Sequence, residues 1–355
     1  MKSQDGPGFF LRVFHAMRTF FREHWKTIVA IILLALLAMV TVNPGAAAPD
    51  VPLAARLRTH VTAIASSEHN TANPAKLEEA ARYIETALRN EGYTIRRQEY
   101  QAGGPHSSHL VRNIEVSVAN VAPKAKPARI FIVGAHYDSA PGAVGANRSD
   151  NTGGSGTAAV LELARLLKDM RPSQGTEVKF VFFVNEEPPW LSGELRGEEM
   201  GSMQHARQLH EDGQHVEGAL VLETIGWYSQ RRHSQKLPPG LEGRYPDVGN
   251  FIAFVGTVQS SRLVQDALSA FRAASDFPAH GLAAPAYVQG VTLSDHSLYN
   301  RFGYPAIMIT DTAFMRYPYY HTAEDTPDKV DYDSTARVVQ GLARTIRALA
   351  AGAQG

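Results

Sequence analysis

The chain predicts an α/β domain built on a central mixed, mostly parallel sheet flanked by helices. Two observations carry that expectation. From Leu53 onward, short apolar runs alternate with segments of helical periodicity, the pattern that produces parallel strands joined by crossover helices. The apolar runs also end in histidine or a carboxylate, and in open α/β sheets the carboxyl ends of the strands are where ligands bind.

The elements follow in order. Leu53–Ser66 and Ala75–Tyr93 repeat apolar residues at helical spacing, and Gly92 suits a helix end. Short strands are expected at Thr94–Tyr100 and Leu110–Val118, with the polar APKAKPA as a turn. RIFIVGAHYD is a strand ending near His136. GGSGTAAVLELARLLKDM is a helix with one apolar face, and VKFVFFVNEE is the next strand. Glu198–Glu211 reads as helical, GALVLE and PAIMITD as strands, and STARVVQGLARTIRALAAG as the last helix. Tyr228–Gly249 shows no period and carries Pro238 and Pro239. A loop of that length is more often functional or mobile than structural.

The N-terminus is organised differently. Thr27–Val42 carries no charge, and Lys2, Arg12, Arg18, Arg22 and Lys26 precede it against Asp5 and Glu23. The expected order is a basic cytoplasmic tail (1–26), a transmembrane signal-anchor or signal peptide (27–42), a linker (43–52) and a domain from 53 to 355. Basic flanks stay inside, so the domain should be exported, to the periplasm or the cell exterior. The apolar run is shorter than the ~20 residues of a full span. Ala46–Ala48 offers a small-residue cleavage site, which would give a secreted form instead.

Composition removes several classes. Lys plus Arg and Asp plus Glu both number 35, so no basic excess points to nucleic acid. There are no cysteines, so disulfides and thiolate-bound zinc are excluded, and any metal must be held by His, Asp and Glu. Such residues stand where the fold would gather them: His136 and Asp138 after IFIVGA, Glu186 and Glu187 after FVFFVN, Glu223 after ALVL, Asp311 after PAIMIT with His321 beyond, and Asp150 before a Gly-rich helix start. Carboxylates converging on one sheet edge repel one another, and metal ions are the economical remedy. Imidazole and carboxylate suit zinc, and less specifically manganese or cobalt. Two histidines with at least three carboxylates suggest two ions sharing a bridging acid, a recognised hydrolytic arrangement.

HYDS, SDNTGGSGTAAVLELAR, NEE, LETIG, SDHSLYNRFGYPAIMITDTA and YHTAEDTPDKVDY occur in this order. Together they resemble the M28 family of zinc peptidases, from about Leu53 to the end. The resemblance implies the zinc-exopeptidase fold, two Zn²⁺ per chain and peptide substrates. His136 and Glu223 would hold one ion, Glu187 and His321 the other, and Asp150 would bridge them. Asp138 would orient His136, and Glu186 would be the general base toward the attacking water. Neighbours on a strand point to opposite sides, so Glu186 and Glu187 are expected to diverge into these two roles, with Pro188 holding Glu187 extended. Two departures stand out: Glu223 replaces the shorter Asp of many relatives, and Pro188–Glu199 is long. The implied activity is that of an aminopeptidase. Two alternatives remain open at this point, a single-zinc glutaminyl cyclase and an inactive membrane-tethered binding module.

Other residues have plainer readings beside functional ones. GGSG lacks the lysine of a phosphate loop and reads as close packing at a helix N-terminus. His205, His210 and His215, five apart, read as a solvated face. Asp295 and His296 suit a helix cap, and by resemblance to the cyclases Asp295 suits a proton-transfer network. Asp311 is a candidate supporting carboxylate. Tyr320 is a candidate donor to an oxyanion, beside Tyr317 and Tyr319 as pocket wall. Trp227, Tyr228 and Phe314 suit either an apolar pocket or the core.

Overall fold

The computed structural model describes residues 18–19, 22–26, 51–103, 108–143, 153–191, 197–320 and 322–351. Contacts divide the chain into Met1–Ala48 and Pro49–Gly355. In the first unit, residues 22–26 are helical and exposed. The apolar run Thr27–Val42, the linker up to Asp50, Asp150 and His321 lie outside the described residues. No described helix is long and apolar enough to cross a membrane.

The second unit opens with α1 (Val51–Ile64) and α2 (Pro74–Asn90), followed by β1 (Arg96–Ala102), β2 (His109–Asn120) and β3 (Arg129–His136). Then come α3 (Gly153–Leu167), β4 (Thr176–Phe183), α4 (Gly201–Glu211) and β5 (Val216–Glu223). After a long loop follow β6 (Ile252–Thr257), α5 (Ser261–Ala274), β7 (Ala279–Ala284), α6 (His296–Arg301), β8 (Ala306–Thr310) and α7 (Tyr332–Ala351). Among the described residues the strands form one eight-stranded sheet in the order β1-β2-β4-β3-β5-β8-β6-β7. The four central strands, β4-β3-β5-β8, are mutually parallel, and β1, β2 and β6 bring antiparallel pairings toward the edges. The expected mixed sheet is therefore present, with parallel pairs through its centre and again between β6 and β7 at one edge.

The central strands read as continuous apolar runs because both faces are covered. One face packs α1, α3, α5 and α7 through Leu57, Leu163, Phe271 and Leu342 against Phe131, Val133, Phe180 and Phe254. The other packs Ala206 and Leu209 of α4 and Tyr299 of α6 against Ile130, Ile132, Val181 and Phe183. Alternate residues of β3 thus serve opposite layers, as the two-residue period of a strand dictates.

Three expectations need correction, and one region for which no elements were expected proves to be structured. Strand β4 stops at Phe183 rather than running through Glu187. Helix α4 starts at Gly201 rather than Glu198. β6, α5, β7 and α6 fill a region whose strands are short and whose β7 is only half-buried, so its apolar signal is faint. His205 is not on a solvated face. It is buried, with one ring nitrogen 2.7 Å from Glu115 and the other 2.6 Å from the Tyr299 hydroxyl. His210 and His215 are exposed as expected.

Candidate metal centre

Register brings the site together. His136 pairs with Phe183 across β3 and β4, and Glu223 pairs with Thr310 across β5 and β8. The carboxyl ends of four parallel strands therefore finish level, and whatever follows them shares one edge. The start of α3 holds two of these ends: the Thr157 hydroxyl donates to the His136 carbonyl (2.7 Å), and the Ser155 hydroxyl accepts the Ile225 N–H (3.2 Å). Gly156 lets the helix approach, since a Cβ there would stand 2.7 Å from the Leu222 carbonyl oxygen. The Gly-rich segment thus serves close packing, as read from the sequence.

The two glutamates reach the site through a clamp and a turn. The Gly201 N–H donates to the Val184 carbonyl (2.7 Å), and Asn113 takes the Val184 N–H (3.2 Å) while donating to the Gly201 carbonyl (2.7 Å). Asn185 then adopts φ +62°, the left-handed region in which Asn is among the better-tolerated residues. That turn ends the strand's alternation, so Glu186 and Glu187 do not point to opposite sides. One ligand atom from each of His136, Glu186 and Glu187 lies within 4.8 Å of the other two. Asp138 fixes the turn: one oxygen accepts the Glu186 N–H and the other the Glu187 N–H, both at 3.2 Å. The first of these oxygens also stands 3.5 Å from His136 Nδ1. One carboxylate thereby orients both the imidazole and the glutamate pair.

Glu223 faces His136 Nε2 at 3.6 Å through one oxygen, and its other oxygen accepts the Ser294 hydroxyl. Ser294 stands in the SDHS segment next to Asp295 and His296, and was missed because a serine carries no sign of its acceptor in the sequence. Asp295 precedes α6 without making a side-chain cap. Its carboxyl is fully buried, and burial pushes it up to about 7. His296 donates through Nε2 to the Val291 carbonyl (2.8 Å), and burial lowers its imidazole to about 4, so it is a neutral latch. Asp311 accepts the N–H groups of Gly226 (3.1 Å), Trp227 (2.8 Å) and Ala313 (2.9 Å), which pins the turn after β5 to the segment after β8.

The electrostatics are those of a donor set prepared for a cation. Glu186 is fully buried, and neither of its oxygens has a hydrogen-bond partner among the described residues. Burial pushes its carboxyl well above the ordinary range, opposed by His136 and reinforced by Glu223, Glu187 and Asp295. Burial alone would depress the His136 imidazole, but Glu223, Glu186 and Asp138 outweigh it and raise it. Isolated buried carboxylates are costly unless paired or bound to metal. Imidazole with several carboxylates, all close together and buried, fits a zinc-type divalent ion.

Residues 117–346 match the profile of peptidase family M28. The chain belongs to that family. An M28 relative in sequence is an uncharacterised Escherichia coli protein, YfbL, 37% identical over 283 residues, covering 76% of this chain and 80% of that one. The M28 fold is shared with the solved LapA aminopeptidase of Legionella pneumophila (TM-score 0.62, 17% identity, 84% of this chain and 72% of that chain). It is shared equally with a Porphyromonas gingivalis glutaminyl cyclase (TM-score 0.62, 19% identity, 83% of this chain and 98% of that chain).

Beside this M28 site lies an apolar pocket enclosing about 750 Å³ with its open mouth. Phe251, Val255, Met308, Phe314 and Tyr320 line it, and the loop after β5 contributes Leu237 and Leu241. That loop is the aperiodic Tyr228–Gly249. Arg316 ties it down, donating to Gln235 (2.9 Å) and to the carbonyls of Gly249 (3.1 Å) and Phe251 (2.8 Å). Burial lowers its guanidinium to about 10, which leaves it charged at neutral pH. Phe314 and Tyr320 are therefore pocket wall, whereas Tyr228 packs on Phe277 in the core. Trp227 stacks near Tyr317 (5.1 Å) and Tyr319 (6.0 Å) on the other side of the Phe314 segment.

Proposed function

We propose that this M28 chain is a metal-dependent exopeptidase that removes N-terminal residues from peptides. The observation that carries the proposal is the convergence of His136, Glu186 and Glu187 within 4.8 Å in a buried site. His136 and Glu223 would hold one Zn²⁺, and Glu187 the other. Asp150 and His321, whose motifs match the family, would bridge the ions and complete the set. Bound zinc supplies Lewis-acid polarisation of the scissile carbonyl and acidifies water toward a pKa near 7.

The protein's own groups do the rest. Glu186, whose oxygens have no hydrogen-bond partner among the described residues, takes the proton of the attacking water and passes it to the departing amine. Asp138 keeps the His136 ring and the Glu186–Glu187 turn in place. Tyr320 is the candidate donor to the oxyanion. The apolar pocket accepts the side chain of the residue to be released and excludes water around it.

The alternative chemistry on this fold is cyclisation of N-terminal glutamine with one zinc. The buried Asp295 beside Glu186 would suit its proton transfers. Metal analysis of zinc-loaded protein, with mass spectrometry of Leu- and Gln-initiated peptides, separates the two. Two ions per chain and loss of the N-terminal residue are expected. One ion and loss of ammonia from the Gln peptide would replace this reading with the cyclase.

The basic residues before Thr27–Val42 support a membrane-anchored domain on the exported face. Protease added to spheroplasts with an intact inner membrane should degrade the domain, and protection until that membrane is lysed would contradict that placement.

A further inference from the structure

Next to the apolar pocket, and sharing Phe314 and Met315 with it, a second groove of about 770 Å³ runs beneath the segment Gln230–Lys236. Its sequence, QRRHSQK, supplies Arg231, Arg232, His233 and Lys236 to the groove, and Arg316 lines it from below. Among the described residues no carboxylate lines it, and no Asp or Glu occurs in the sequence between Glu223 and Glu242. His233 is paired, at 2.7 Å from Asp247. Arg231, Arg232 and Lys236 are exposed and make no ion pair with any described residue. Arg316 is hydrogen-bonded to neutral acceptors, so its charge is not cancelled by those bonds. Trp227 and Tyr317 give the groove an aromatic side.

In a chain of zero formal net charge, three exposed cations with no ion pair among the described residues, gathered on one concave surface, are a local field; the buried Arg316 behind them is partly balanced by Asp311. Clefts lined by one sign of charge focus that field and attract the opposite charge. The groove is held at both ends to the centre's own supports. Trp227 is bound by Asp311 in the turn that begins after Glu223, and Tyr317 belongs to the segment leading to Tyr320. Its walls therefore share supporting segments with the centre.

We infer that this groove binds a peptide carboxylate, so that the enzyme selects peptides with an apolar first residue followed by an acidic residue or a nearby free C-terminus. The inference rests on the exopeptidase reading and refines its substrate class. Fork-shaped guanidinium groups suit bidentate carboxylate recognition. The aromatic side accommodates the extended backbone.

The test uses zinc-loaded full-length protein and four short Leu-initiated peptides: glutamate or glutamine as the second residue, each as C-terminal acid or amide. Cleavage rates and binding of labelled versions are measured at low and high salt. We expect roughly ten-fold higher kcat/KM for the glutamate peptide, the free acid, or both, arising mainly in KM and shrinking with salt. In the triple variant Arg231→Gln, Arg232→Gln, Lys236→Gln, the acidic-to-neutral ratio should fall toward one. All three side chains are exposed, so folding is not at stake. Acid and amide arms distinguish the C-terminus from a side chain as the source of the carboxylate. Equal rates on all four peptides at low salt, or a preference that survives in the triple variant, would overturn the inference while leaving the peptidase intact. Charge-dependent binding without any cleavage would support the groove and remove the peptidase reading.

Discussion

Asp138 shows how much one buried carboxylate can organise. It accepts two successive N–H groups from the glutamate turn and faces the His136 ring. Asp138→Asn keeps the shape but replaces one acceptor oxygen by a donor that meets an N–H. We expect zinc affinity to fall about 10- to 100-fold, as for other residues that orient a ligating imidazole. Titration against a chelator measures it, and unchanged affinity would show that the turn holds itself. At this scale the sequence was informative about which residues matter and poor about their arrangement. His136, Asp138, Glu186, Glu187 and Glu223 could be named because charge at the end of an apolar run is conspicuous. That Glu186 and Glu187 converge could not, because the cause is the positive φ of Asn185, and an asparagine adopts many conformations. Ser294 and the buried His205 were unreadable for a related reason: each is defined by a partner far away in the chain.

Among elements, the joint between β2, β4 and α4 positions the glutamates. A Cβ on Gly201 would stand 2.7 Å from Val184 N and 2.8 Å from its carbonyl oxygen, both rigid backbone atoms. Gly201→Ala should therefore cost about 1–3 kcal/mol, as overpacking does, and should lower activity by shifting the turn. Urea unfolding measures the first effect, and an unchanged midpoint would show that α4 can move without cost.

A second joint predicts pH dependence. Glu85 of α2 accepts hydrogen bonds from Arg89 of its own helix, Arg97 of β1 and Arg112 of β2. Burial opposes its charge, but these arginines hold it down to about 2. Its folded value is depressed, so its contribution is complete above the ordinary carboxylate range near 4.5 and is lost as pH falls toward 2. Urea unfolding of the wild type and Glu85→Gln should thus differ most at neutral pH and converge as pH approaches 2. A constant difference would contradict the ionic account. The strongly apolar β3, β4 and β5 were legible from sequence because burial on both faces leaves an unbroken run. β6 and β7 were not, since each spans only six residues and lies toward the edge.

The molecule as a whole gathers level strand ends, a carboxylate-rich centre, an apolar pocket and a basic groove on neighbouring surfaces. The fold class was readable because strand–helix alternation is a property of the whole chain, robust to errors in any one element. The pocket was not, because its walls come from β6, β8 and an aperiodic loop whose course is set by Arg316 rather than by any pattern. The proposed chemistry requires zinc at this centre and Glu186 as the base that hydrolyses the first peptide bond. The most direct measurement compares zinc content and release of leucine from a Leu-initiated peptide in the wild type and Glu186→Gln. Equal zinc content and a rate lower by about 10²–10⁴-fold in the variant are expected, the usual contribution of general-base catalysis. Full activity in Glu186→Gln with its zinc retained would contradict it.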